Sequence, residues 1–99
     1  MAVIDKKKIG RAIQAIVHIG VHGKYLFEND LAQEDLGKKI ISMPEVEECF
    51  MVTGESDMIL LVSAKDMDEL NDFITNKLRK VGGVEKTVTS VVMKSISNH

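Results

Sequence analysis

The chain has no tryptophan, one proline, one cysteine and four aromatic residues: Tyr25, Phe27, Phe50 and Phe73. Each shortage excludes something. A lone cysteine, Cys49, closes no internal disulfide, so the chain is not a stapled secreted scaffold, and a reducing compartment, the cytoplasm, is its expected location. So few aromatics do not make the stacking platform of a single-strand RNA reader. Neither sign of charge dominates, since 13 Lys and Arg stand against 15 Asp and Glu for a formal charge of −2. There is no overall field to gather phosphates. Long apolar runs are missing as well. The stretch from Ile13 is broken by Gln14, His18, Gly20 and His22, and with no small-residue cleavage pattern neither an export signal nor a membrane span is expected. A phosphate loop, a dinucleotide glycine fingerprint and a histidine-carboxylate metal signature are also absent.

What remains is ordinary globular material: 99 residues, 44% hydrophobic and 28% charged. That is the size of one domain, which excludes a two-domain enzyme. A unit this small buries only about 60 to 65% of its unfolded surface, so association is expected to help it. Residues 1–11, with the Lys6-Lys7-Lys8 run and Arg11, read as a solvated basic arm, and 12–99 as the folded domain. Four charges without interleaved aromatics are a weak nucleic-acid signal.

Apolar residues at Ile13, Ala15, Val17, Ile19 and Val21 alternate along one strand face, while the other face carries Gln14, Ile16, His18 and Gly20. A loop is expected from His22. Asp30 with Gln33 resembles a capping box, opening a helix whose Ala32, Leu36, Ile40 and Met43 form a stripe and which Pro44 ends. Val46 to Thr53 reads as a second strand, turned by Gly54-Glu55-Ser56 into Met58-Ile59-Leu60-Leu61-Val62, a hairpin. Asp66 with Glu69 opens a second helix with Met67, Leu70, Phe73, Ile74, Leu78 and Val81 on one face. Gly82-Gly83 ends it, and Val84 to Ile96 forms the last strand.

The order is βαββαβ. The expected fold is an α+β, ferredoxin-like sandwich, with a four-stranded antiparallel sheet and two helices on one face. The other face, expected to carry Ile16, Thr87, Thr89, Val91 and Met93, is too apolar for water, which implies a subunit interface.

Several constellations carry little chemistry. His18 and His22 lie too far apart along a strand to share a metal and lack a third ligand, so they read as interface histidines. Cys49 reads as a small packed hydrophobe, and Glu45, Glu47 and Glu48 as a solvated strand end. The informative stretch is Val52-Thr53-Gly54-Glu55-Ser56-Asp57, expected near Thr87-Val88-Thr89-Ser90. Gly54 lets the backbone bend toward a ligand whose carboxylate exposed amides would hold. Asp57 is placed to accept from an ammonium group or from the turn's own amides, and threonine hydroxyls donate or accept. These are the parts that recognise a zwitterionic amino acid, and also those of a plain capped hairpin.

Pro44-Glu45-Val46, the Val52 to Asp57 stretch with its apolar strand, Gly82-Gly83-Val84 and Thr87-Val88-Thr89-Ser90-Val91-Val92 together resemble the effector-binding half, or RAM domain, of the leucine-responsive Lrp/AsnC transcription regulators. The resemblance covers about Ala12 to Ile96. It implies a ferredoxin-like unit of the dimeric α/β barrel type that dimerises through its sheets, with dimers assembling into rings of four, an octamer. It further implies an amino-acid effector between dimers, contacted by Gly54, Glu55, Ser56 and Asp57 with Thr87 and Thr89 close by.

Two departures from the family pattern matter. The residues before Ala12 are too few for the helix-turn-helix domain that precedes this unit in full-length members, so the expectation is a stand-alone RAM domain that does not itself bind operator DNA. Ser56 and Met58 flank Asp57 where the family often has an aromatic, so leucine is not implied as the effector. The resulting expectation is a cytoplasmic, non-enzymatic amino-acid sensor without cofactor or metal, acting on transcription or amino-acid metabolism through ligand-linked oligomerisation. An adaptor pairing with a full-length Lrp/AsnC regulator is the alternative. A small dimeric ferredoxin-like enzyme is disfavoured because no cleft of paired His, Arg and aromatic residues is in view.

Overall fold

A computed structural model of the chain describes residues 13–98; the basic arm lies outside the described residues. The elements run β1 (Ile13–Val21), α1 (Gly23–Glu28), α2 (Gln33–Ile41), β2 (Val46–Met51), β3 (Met58–Ala64), α3 (Met67–Asp72) and β4 (Val84–Val91). A wider π turn, Phe73–Lys77, and a 3-10 turn, Leu78–Lys80, continue α3. The four strands form one antiparallel sheet in the order β2-β3-β1-β4, the ferredoxin-like arrangement expected above.

Alternation decides the core. Ala15, Val17 and Ile19 of β1 pair with Val62, Leu60 and Met58 of β3, and all six are fully buried. Leu26, Leu36, Ile40, Leu70, Phe73 and Leu78 join them in one cluster, so the helices cover this face. The π turn matches the five-residue spacing of Phe73 and Leu78, both wholly buried. Met67, expected on that face, is 45% exposed because it opens the helix at its outer end.

The segment after β1 contains a helix instead of a loop. His22 Nδ1 accepts from the Tyr25 amide at 3.0 Å and caps α1. The start of α2 also differs from the expected Asp30–Gln33 box. Asp30 sits at φ +55 in the turn, and Asp35 reaches back to accept from the Ala32 amide at 2.7 Å. Ala32 is thus an exposed helix cap and not part of the buried stripe. The second cap follows the expectation, since Asp66 Oδ1 accepts from the Glu69 amide at 2.8 Å. The Glu69 carboxylate accepts from the Lys65 amide.

Three further corrections concern β2 and β4. β2 stops at Met51 because the Val52 amide donates to the Asp57 carbonyl and begins the turn. β4 stops at Val91, although the Val92 amide still donates to Gln14 O at 2.8 Å. Glu45 is not solvated: it is 8% exposed and meets Lys77 Nζ at 2.6 Å, tying the residue before β2 to the end of the π turn that continues α3.

The largest correction is to the uncovered face. Val84 pairs with Val21, but the next pair is Lys86 with Gly20, so Glu85 is an extra residue in a β-bulge. One inserted residue reverses every later side chain. Thr87, Thr89 and Val91 therefore stand opposite Ile19, Val17 and Ala15 on the helix side, and Lys86, Val88 and Ser90 stand opposite Gly20, His18 and Ile16 on the uncovered face. Met93 lies past the end of the strand. The uncovered face is apolar none the less, with Ile16 37%, Phe50 49% and Val88 49% exposed.

Candidate functional site

The β2–β3 connection, Val52 to Asp57, is pinned at its Asp57 end. The Asp57 amide donates to Ile19 O at 2.9 Å, and its Oδ2 accepts from the Val21 amide at 2.9 Å. Its carbonyl accepts from Gln33 Nε2 at 3.0 Å and from the Val52 amide at 3.1 Å. Of the two roles open to Asp57, the structure shows the anchoring one, directed at the exit of β1. Gly54 sits at φ +114 with nothing within 4 Å of its missing side chain. There the glycine serves the backbone turn and not a close approach. Asp57→Ala is expected to cost about 1.5 to 3 kcal/mol, the worth of a hydrogen bond to a charged group, measured by urea denaturation, with Asp57→Asn losing less because its amide oxygen still accepts.

Anchored this way, the loop leans over the uncovered sheet face. Ser56 Oγ comes to 3.2 Å from His18 Nδ1. Between loop and sheet lies a cavity of about 310 Å³, lined by His18 and Gly20 of β1, Glu55 and Ser56 of the loop, and Lys86, Val88 and Ser90 of β4. Glu55 and Lys86 are exposed, and neither has a hydrogen-bond or ion-pair partner among the described residues. An anion and a cation, each without a partner among the described residues, thus border one small cavity.

Of the expected residues, Glu55 and Ser56 line this cavity, while Gly54 and Asp57 shape the loop behind it. Thr87 and Thr89 face the helix side, and β4 presents Lys86, Val88 and Ser90 in their place. His18, read from sequence as an interface histidine, is one of the cavity's walls. Local sequence holds one trace of the swap: Glu85 and Lys86 interrupt the apolar alternation directly after Val84.

A second hollow of about 270 Å³ lies on the other side of the sheet between α2 and β2, bordered by Gly37, Ile41, Cys49 and Met51. Its charged residues, Glu34 and Lys38, are neighbours on one helix. Burial pushes the Cys49 thiol up, which keeps it protonated and suits a packing role. Among the described residues no group of three His, Cys, Asp or Glu is placed to hold a metal ion, and no helix is long and apolar enough to cross a membrane.

The family profile described as the Lrp/AsnC ligand binding domain matches residues 14–99. The chain belongs to this family. Among curated Lrp/AsnC relatives, the HTH-type transcriptional regulator FL11 of Pyrococcus furiosus is 32% identical over 94 residues, 94% of this chain and 56% of its own length. The transcriptional regulator AzlB of Bacillus subtilis is 30% identical over 93 residues, 94% of this chain and 57% of its own. The chain thus spans little more than half the length of these regulators. Among solved structures, a Neisseria meningitidis transcriptional regulator in complex with L-methionine superposes with a TM-score of 0.79 at 26% identity, covering 99% of this chain and 60% of that one. A Thermus thermophilus protein superposes at 0.72 with 32% identity, covering 87% of this chain and 99% of the other. These neighbours share the ferredoxin-like fold described above.

Proposed function

We propose that this Lrp/AsnC domain senses an amino acid in the cavity under the Val52–Asp57 loop and transmits its presence through assembly. The observation that carries the reading is that Glu55 of the loop and Lys86 of β4 line one cavity, each without a partner among the described residues. A zwitterion offers an ammonium group to the first and a carboxylate to the second, and satisfies both at once. The methionine complex of the Neisseria regulator supports the ligand class. No step of this reading forms or breaks a covalent bond, so the domain acts as a binding protein and not an enzyme.

The cavity opens on the apolar, uncovered sheet face. A second copy closing that face makes a homodimer and closes the cavity, and dimers can then group into a tetramer of dimers. A ligand that binds the assembled form better than the separated one stabilises assembly by its differential affinity. A full-length Lrp/AsnC regulator is a second partner for the same face, since its own ligand-binding half has the same fold. Both partners put the domain in the cytoplasm, in the control of transcription or amino-acid metabolism.

Titration calorimetry of the chain against the standard amino acids is expected to detect binding, and Lys86→Met to weaken it about tenfold or more through loss of a charge-assisted contact. Absence of binding by any of them overturns the reading.

A further inference from the structure

The zwitterion needs Glu55 and Lys86, and the rest of the cavity is left to read the side chain. We infer that this side chain ends in a carbonyl oxygen, as a carboxamide or carboxylate, and is read by His18, Ser56 and Ser90. The inference rests on the amino-acid reading above and deepens it.

The lining residues carry the argument. With Glu55 and Lys86 assigned, what remains among the described lining residues is His18, Ser56, Ser90, Val88 and the bare backbone of Gly20. Val88 is the one apolar side chain among them. A leucine- or methionine-like side chain would strip water from two hydroxyls and an imidazole and bond to none of them, an uncompensated loss. A carbonyl oxygen meets donors instead. Ser90 supplies a hydroxyl proton. The His18 Nδ1···Ser56 Oγ contact at 3.2 Å supplies another whichever partner donates. If Ser56 donates to Nδ1, the ring proton is on Nε2 and free; if Nδ1 donates to Ser56, the serine's own proton is free. The pair therefore always holds one proton for a third partner.

Gly20 makes the room. Among the described residues a Cβ there would meet only Lys86 Cβ, at the ordinary contact distance of 3.6 Å, and its backbone conformation is one that other residues adopt. The fold therefore does not require glycine at this strand position, and the space left by its missing side chain belongs to the cavity. Gly20→Val is accordingly expected to keep the protein folded and fill the site.

The test is calorimetry of the chain against L-asparagine, L-aspartate, L-glutamine and L-glutamate, with L-methionine and L-leucine as apolar competitors. At least one of the first four is expected to bind about tenfold tighter than either competitor. Ser90→Ala is expected to weaken that ligand about three- to tenfold, the worth of a hydrogen bond, and to leave methionine unaffected. Gly20→Val is expected to abolish binding without lowering the thermal midpoint. Methionine or leucine binding as tightly as all four polar ligands, with Gly20→Val still blocking it, rejects the carbonyl-oxygen inference and leaves the amino-acid reading standing. Equal loss of polar and apolar ligands in Ser90→Ala also rejects it. No binding by any amino acid rejects both.

Discussion

Gly83→Ala is expected to destabilise the protein by about 3 kcal/mol, a large part of the stability of a domain this size. Two effects add. Gly83 adopts φ +100, where a side chain costs about 1 to 2 kcal/mol, and its added Cβ would lie 2.9 Å from Leu36 Cδ2 and 3.1 Å from Leu26 Cδ2. Leu36 is 2% exposed and cannot swing aside, so overpacking contributes about another 1 to 2 kcal/mol. Gly54→Ala is the control. It has a similar positive φ, +114, and open space around it, so only the backbone part should appear. Guanidinium denaturation of both variants separates the contributions, and equal effects would remove the packing part. Gly82 differs again: its added Cβ would meet the ring of Tyr25, a side chain 38% exposed and able to move outward. Because the Gly83 carbonyl accepts the His22 amide at 2.7 Å beside the bulge, a shift there also displaces Lys86.

The second large effect is on assembly. Ile16 lies on central strand β1, faces the uncovered side opposite Leu61 and Ser90, and is 37% exposed. Ile16→Asp should leave the monomer folded. In a dimer closed through this face it buries one carboxylate per partner, each costing at least about 2 kcal/mol, the figure for an unpaired buried polar group, and so weakens association by about three orders of magnitude or more. Sedimentation velocity is expected to show the wild type as a dimer or larger and Ile16→Asp as a monomer. Phe27→Asp, on the 87% exposed Phe27 of α1, should leave the mass unchanged. A wild-type chain that remains monomeric at high concentration would overturn the use of this face and, with it, the ligand-linked assembly.

Several elements were legible in the residues because their causes are local. The alternation of Ala15, Val17 and Ile19 places β1 face down whatever its neighbours do. Asp66 caps α3 through the Glu69 amide three residues on, and Gly83 takes the positive φ of the 81–84 turn that leads into β4, while the helical segment itself ends on the extended backbone of Val81. The family phrases around Gly54 and Gly82 led to the right fold. The helix after His22 was not legible, because a histidine cap is a weak signal and the helix is only six residues long. Nor was the burial of Glu45, since the charge that holds it, Lys77, is 32 residues away.

The sequence by itself determined the order of the four strands, the two longer helical segments between them, the core face of β1 and β3, and the turn that joins β2 to β3. Which residues of β4 meet that loop was decided only by tertiary structure. Strand alternation has a phase as well as a period. The phase of β4 is reset by pairing with β1, where Glu85 bulges out so that Val84 packs inward and Lys86, Val88 and Ser90 all turn outward. That choice belongs to two strands more than sixty residues apart, and it lines the cavity beside the loop with Lys86, Val88 and Ser90 in place of Thr87 and Thr89.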